Sequence, residues 1–419
     1  MPFLEAYLKA YGVNQYYEQV LKILAHIKNS EIKAYINSEY DWYEIDDAQD
    51  LDIANTIFAE EKNLIHKYEF HFGGYRRYLK LKDFCYLVNP YYPPQKMISQ
   101  IKYFFNELLT QYPSGMTNQR LNASNMFEVD DKYLIVGNGA SELINVLGKY
   151  VKGTITSFVP TFNEYIRCFI NCEKNEIRIQ EDNYRFNIER ILENIENSDA
   201  LLIINPDNPS GSFLDYENVI KIADVCQKND ILLIIDESFI DFAEKSKRYT
   251  LVKDDILEKY TNLVVIKSIS KSYGIPGLRL GIMATSNGKI RKFMIDNMAI
   301  WNINSFAEYY LQIQRLYKKS YVLSCDNVVE QRNHLISGLS KNPYLEVYPS
   351  EANYVMCKIA DNSPATADEL SLELMKRYDI LIKNLSSKKG FDGEQFIRIA
   401  VRDSADNELL LKAVNEILG

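Results

Sequence analysis

Ser268-Ile-Ser-Lys271-Ser-Tyr-Gly-Ile-Pro-Gly-Leu-Arg279-Leu-Gly281 follows directly on the apolar run Leu263-Val-Val-Ile266. A lysine in a Ser/Gly-rich turn at the mouth of a buried strand is poorly hydrated. Desolvation disfavours its ammonium form, so its amine is available as a nucleophile toward a carbonyl. The hydroxyls of Ser268 and Ser270, the N–H groups of the turn and the guanidinium of Arg279 suit a phosphate, and the glycines let the backbone approach it. A carbonyl-reactive lysine beside an anion pocket is what pyridoxal 5′-phosphate (PLP) requires.

Upstream of this stretch, short continuous apolar runs at residues 133–136, 154–159, 200–204 and 231–235 alternate with helical segments such as 218–228. That alternation predicts an α/β fold with a mostly parallel sheet buried on both faces, its ligands at the C-terminal strand ends. Each run is followed by a polar phrase: Gly137-Asn-Gly-Ala140-Ser141-Glu142 opening a helix, Pro160-Thr-Phe162, Asn205-Pro-Asp-Asn208-Pro-Ser-Gly211, and Asp236-Glu-Ser-Phe239-Ile-Asp-Phe242. The first is an anion site at a helix N-terminus. Taken singly, Phe162 also fits a core filler, Asn208 a turn cap and Asp236 an N-cap. Taken with Lys271, they supply a ring to stack on a cofactor, an amide for its phenolic oxygen and a carboxylate for its pyridine nitrogen.

Beyond residue 305 a long helical region, 306–340, leads to strands at 345–355, 380–383 and 396–402 and a helix at 365–377, a smaller α+β domain. Arg398 and Arg402 are placed on one face of a strand, and two guanidiniums there call for a carboxylate or phosphate between them. At the other end, residues 1–65 read as helical and charged. His71-Phe-Gly-Gly74 follows, where His71 is open between a packed position and a substrate contact, and then a helix over 95–110 leads to Gln111-Tyr112-Pro-Ser-Gly115. The expected organisation is a helical N-terminal segment (1–65), an N-terminal arm with part of the small domain (66–110), a large cofactor-binding domain (111–305) and a C-terminal small domain (306–419).

Composition excludes several function classes. With 419 residues, 47% of them hydrophobic, the chain can bury a large core. A formal net charge of −9 argues against nucleic acid as a partner. No apolar run reaches membrane-spanning length and Met1-Pro-Phe-Leu-Glu lacks the order of a signal peptide, so no membrane partner and a cytoplasmic location are expected. Six cysteines without paired spacing and four scattered histidines give no metal site.

From about residue 70 onward the chain resembles the fold-type I PLP-dependent enzymes of the aspartate aminotransferase superfamily, and among them the threonine-phosphate decarboxylases, with histidinol-phosphate aminotransferases as near relatives. The shared phrases are those above together with Tyr348-Pro, Ala-Asn353-Tyr354 and Arg398-Ile-Ala-Val-Arg402. The resemblance implies that Lys271 carries the cofactor, Asp236 pairs with its pyridinium, Phe162 stacks on it and Asn208 contacts its phenolic oxygen. It assigns the cofactor phosphate to Ala140, Ser141, Ser268, Ser270 and Arg279, and a substrate anion to Arg398. Tyr112 resembles a tyrosine that reaches the neighbouring subunit's cofactor, which implies a homodimer with shared active sites. His71-Phe-Gly-Gly74 is similar to the decarboxylases' N-terminal His-Gly-Gly, with Phe72 inserted.

Asp41-Trp-Tyr-Glu-Ile-Asp-Asp-Ala-Gln-Asp-Leu-Asp-Ile-Ala54 resembles the closing segment of sugar-phosphate nucleotidyltransferases, without that family's Gly-rich nucleotide loop. It implies a chain fused to or coupled with such an enzyme; on the residues alone, Asp46 and Asp47 are helix caps. Phe239 stands where the aminotransferases usually have tyrosine. The expected reaction is therefore decarboxylation of a small phosphorylated amino acid, L-serine phosphate to ethanolamine phosphate or L-threonine phosphate to aminopropanol phosphate. The alternatives are an aminotransferase acting on histidinol phosphate or dihydroxyacetone phosphate, and a non-catalytic subunit of a nucleotidyltransferase.

Overall fold

Strand residues alternate between two faces, so a run that is apolar throughout must be covered on both. The computed structural model, which describes residues 2–14, 16–27, 31–33 and 42–419, meets that demand. Leu201, Ile203, Leu233, Ile235 and Val265 pack into one apolar cluster. The intervening Leu202, Ile204, Ile234, Val264 and Ile266 pack into another, on the opposite face.

The strands are β1 (Lys82–Asp83), β2 (Leu134–Asn138), β3 (Gly153–Val159), β4 (Cys172–Arg178), β5 (Ala200–Ile204), β6 (Leu232–Asp236), β7 (Leu263–Ser268), β8 (Leu280–Ala284), β9 (Leu345–Val347), β10 (Tyr354–Ile359), β11 (Ile380–Leu381), β12 (Lys383–Asn384) and β13 (Phe396–Ala400). Seven of them form one sheet in the order β2-β8-β7-β6-β5-β3-β4. The sheet is parallel from β4 to β7, while β8 runs antiparallel to both of its neighbours. The parallel α/β sheet is the one the alternating runs predict. A second, antiparallel sheet has the order β12-β13-β10-β9, and β1 pairs in parallel with β11.

Some local expectations are corrected. The stretch 345–355 is interrupted between β9 and β10, and β13 ends at Ala400, before Arg402. The helix expected over 95–110 is broken at Phe104 into Gln95–Tyr103 and Phe105–Thr110. β4 has too many polar residues to read as a strand; it is the edge of the sheet and is half solvated.

The chain divides into two units, Met1–Tyr68 and Glu69–Gly419. In the first, helices cover Pro2–Tyr11, Glu18–His26 and Ala48–Ile57, and the described residues 31–33 and 42–47 are not helical. Asp47 caps the helix that follows it, its carboxylate accepting from the N–H groups of Gln49 and Asp50. Asp46 does not cap by its side chain; its N–H donates to Asp50. Asp41 lies outside the described residues. Among the described residues no helix is long and apolar enough to cross a membrane.

Gly148, in the helix Gly139–Tyr150, packs against the end of the helix Asn163–Cys168, where an added Cβ would lie 2.6 Å from the carbonyl oxygen of Cys168. Overpacking against backbone costs ~1–3 kcal/mol, more than the ~1 kcal/mol of helix propensity that alanine gains over glycine. Gly148→Ala is therefore expected to lower the thermal midpoint followed by circular dichroism; a midpoint at or above wild type would contradict the close approach.

Candidate active site

β6 delivers Asp236 to the C-terminal edge of the sheet, where its side chain is buried. One carboxylate oxygen accepts from the Tyr165 hydroxyl at 2.7 Å and the other from the Ser238 N–H at 2.8 Å. Tyr165 is fully buried, and burial first, then the Asp236 charge, holds its phenol well above the usual range. The phenol therefore remains a donor to the carboxylate.

The neighbouring strand β7 runs into the helical turn Ile269–Ser272, which carries Lys271. Its amine stands 4.1 Å from the centre of the Phe239 ring and 5.3 Å from that of Phe162. No hydrogen-bond acceptor among the described residues engages it. Burial lowers its pKa to about 8; Asp236 opposes the shift, while Arg398 and Arg279 add to it. The amine is thus poised near neutral pH.

The third part of the site lies at the start of the helix Gly139–Tyr150, which has no side-chain cap. Gly139 has φ +76°, and a Cβ there would lie 2.7 Å from Nη2 of Arg279. A Cβ on Gly281 would lie 2.5 Å from the backbone N of Ala140. Glycine at both places lets the Arg279 guanidinium and the free N–H groups at Ala140 and Ser141 converge on one spot. Ser270 Oγ bonds both backbone groups of Leu280 at 3.3 Å, which ties the lysine turn to β8. The Ser268 N–H donates to Ser238 Oγ at 2.9 Å.

Arg398, on β13, is deeply enclosed. Its Nη1 donates to Asn208 Oδ1 at 2.6 Å and its Nη2 to the Cys85 carbonyl at 2.8 Å, over the face of Tyr354 at 5.5 Å. Its Nε is buried with no hydrogen-bond partner. Lys383 pairs with Arg398 in cross-strand register, and its ammonium is offset by Glu69 at 2.6 Å.

The same-face arrangement expected of Arg398 and Arg402 is not present. Arg402 lies past the end of β13 and is engaged by the Asp406 carboxylate at 2.7 Å and the Asp83 carbonyl at 2.9 Å, tying strand to helix. His71 packs edge-on to Phe70 and near Tyr78, with centroids 6.1 and 6.3 Å away. Tyr112 is highly exposed and stacks on Trp301 at 4.4 Å. Tyr165 and Lys383 carry no mark in the sequence as members of this site; only the fold places them there.

The residues fit PLP: an unengaged amine, a supported carboxylate for a ring nitrogen, an aromatic face, and a cradle of N–H groups and a guanidinium for a phosphate. Among the described residues no group of three His, Cys, Asp or Glu side chains is arranged to hold a metal ion.

A family model described as aminotransferase class I and II matches residues 102–414. CMP-5′-(3-aminopropyl)phosphonate synthase of Streptomyces rubellomurinus is 30% identical over 384 residues, covering 91% of this chain; the chain spans 60% of that relative's length. L-Serine phosphate decarboxylase of Campylobacter jejuni is 33% identical over 356 residues, covering 80% of this chain and 88% of the relative. Among solved structures, a decarboxylase from Sulfurospirillum multivorans gives a TM-score of 0.72 at 27% identity, covering 84% of this chain and 99% of the other. A histidinol-phosphate aminotransferase from Clostridium acetobutylicum gives 0.71 at 25% identity, covering 80% and 99%.

The depressed Lys271 pKa is a stability statement with a definite sign. Below about pH 8 the ammonium is charged in both folded and unfolded states, and its desolvation cost is fully present. Between about 8 and the ordinary lysine value the folded state sheds the proton first, so wild-type apoprotein gains stability as pH rises. Lys271→Met apoprotein should therefore melt above wild type at pH 7, with the gap closing as pH approaches 10; a gap independent of pH would refute the desolvated amine.

Proposed function

Because the chain belongs to the aminotransferase class I and II family, we propose that it is a PLP-dependent decarboxylase of a small phosphorylated amino acid. L-Serine phosphate, giving ethanolamine phosphate and CO₂, is the first choice of substrate. L-Threonine phosphate is the second; the two differ by a methyl worth ~1–3 kcal/mol of discrimination. Lys271 would bond the cofactor covalently, Asp236 would face its ring nitrogen, Phe162 its face, Asn208 its phenolic oxygen, and Ala140, Ser141, Ser268, Ser270 and Arg279 its phosphate. When bound, PLP supplies an electron sink for the pair left when a bond at the substrate Cα breaks.

The protein chooses the bond. Arg398 is the group for a substrate anion, a half-buried guanidinium beside Asn208. If it takes the phosphate end, the carboxylate is left without an ionic partner, and its bond to Cα would be the one that breaks. If it held the carboxylate instead, the Cα proton would leave and amino transfer would follow. The observation that carries the decarboxylase reading is Phe239, whose ring face lies 4.1 Å from the Lys271 amine and which stands where the aminotransferases usually have tyrosine. Lys271 is then the donor that returns a proton to Cα after CO₂ departs. The names of the relatives from Campylobacter jejuni and Sulfurospirillum multivorans support the same reading.

Two partners belong to this proposal. Tyr103, Phe105, Leu109, Tyr112, Ile300, Trp301 and Leu316 are all large, apolar or aromatic, and exposed. A surface so apolar supports a homodimer whose partner covers it, with Tyr112 reaching the neighbouring active site. The match to the Streptomyces relative covers more of this chain than Glu69–Gly419 supplies, so it runs into Met1–Tyr68. That relative's name carries a cytidylyl group, which supports coupling of this chain's amine product to a nucleotidyltransferase.

Holoenzyme given L-serine phosphate and no keto acid should release CO₂ and accumulate ethanolamine phosphate, followed by NMR. Turnover only when a keto acid or dihydroxyacetone phosphate is supplied with an amino donor would make it an aminotransferase, and failure to take up PLP would make it a non-catalytic subunit. Sedimentation of the active enzyme is expected to give a dimer, and Tyr112→Phe to weaken PLP retention without changing that mass. An active monomer would overturn the shared site.

A further inference from the structure

Lys388 has no role in the site as described so far. Its two neighbouring lysines are accounted for by carboxylates, Lys383 by Glu69 at 2.6 Å and Lys389 by Glu176. Lys388 instead donates to a neutral amide, Asn163 Oδ1 at 2.7 Å, and no carboxylate among the described residues is within ion-pair distance of it. Asn163 directly follows Phe162, the ring beside the Lys271 amine. The loop that carries Lys388 is pinned there: Gly390, at φ +97°, lies so close to the end of β3 that a Cβ would come 2.7 Å from the backbone N of Pro160. The Lys388 N–H is itself held by the Leu385 carbonyl at 2.8 Å.

The charges that bear on Lys388 come from the loop after β5, from β12 and from β13. Arg398 and Lys383 repel it, and Asp207 attracts it. Asp207 is a weak counter-ion. It is buried, its carboxylate accepts from the Ser210 hydroxyl and N–H, and burial raises its pKa to about 6. Burial first, then Arg398, brings Lys388 down to about 8. An amide side chain would serve Asn163 as well, so the hydrogen bond does not explain a cation. A half-buried ammonium among other cations is costly unless an anion arrives to offset it.

We propose that Lys388 binds the phosphate of the substrate, sharing it with Arg398, and so selects phosphorylated amino acids over unphosphorylated ones. The inference rests on the phosphorylated substrate class proposed above and adds the residue that recognises it. A phosphate monoester carries about −1.5 to −2 charges near neutral pH. Two cations, one a fork and one a point charge, match that better than Arg398 alone.

The test is calorimetric titration of the holoenzyme with inorganic phosphate and with ethanolamine phosphate. Lys388→Gln, which keeps a donor for Asn163, should weaken both ligands roughly 10- to 100-fold, the usual worth of a hydrogen bond to a charged group. Lys388→Arg should stay within a few-fold of wild type. Wild-type affinity should fall as pH rises through about 8, and the fall should be absent in Lys388→Arg. With L-serine phosphate the Lys388→Gln loss should appear in KM rather than kcat.

Unchanged phosphate affinity in Lys388→Gln overturns the inference. Should that variant not fold, wild-type affinity that is flat in pH through 8 overturns it equally. Phosphate binding lost in Lys388→Gln while wild type yields no CO₂ from L-serine phosphate supports this inference and defeats the decarboxylase reading. CO₂ release with an unaltered KM in Lys388→Gln does the reverse.

Discussion

A guanidinium removed from water must find its partners within the protein, and Arg398 finds them on two chain segments far from its own. Its donors reach Asn208, 190 residues earlier, and the carbonyl of Cys85, 313 residues earlier. The antiparallel sheet, the loop after β5 and the N-terminal part of Glu69–Gly419 are therefore held by one side chain. Burial keeps all three in place, because withdrawing either acceptor would leave a desolvated charge short of hydrogen bonds, a cost of roughly 1–3 kcal/mol or more.

The same cation bears on the charges around it. Lys271 and Lys388 both feel Arg398, and both are brought down to about 8 by burial with its help. Asp236 pulls the other way, while Arg279 adds to Arg398. The site thus combines a carboxylate supported by a phenol, an amine near its titration point, and cations. That mixture suits a ligand carrying a cationic ring and anionic groups.

Much of this arrangement is readable in the linear chain, for a physical reason. A strand buried on both faces is apolar throughout, so a polar residue at its end stands out, and Asp236, Asn208 and Lys271 all occupy such ends. The PLP family is legible for the same reason. What is not readable depends on where elements stop and which way side chains turn. Arg402 was expected beside Arg398 because a period of two continues only while the strand does, and β13 stops at Ala400. Lys388 and Lys389 are adjacent and identical, and only the folded loop shows that one reaches Asn163 and the other Glu176. Tyr165 sits in a short polar helix with no pattern of its own, and its importance appears only when Asp236 is found against it.

The reversal of β8 has its own effect on how a bound cofactor is kept. β7 runs outward and β8 returns antiparallel beside it, so Lys271 and Arg279 stand on one short excursion between two neighbouring strands, which Ser270 stitches to Leu280. The covalent hold proposed for Lys271 and the ionic hold proposed for Arg279 would share a single backbone segment. They are therefore not independent fastenings that loosen in turn. Local unfolding of that excursion would withdraw the ionic hold and, in the same event, open the covalent one to water.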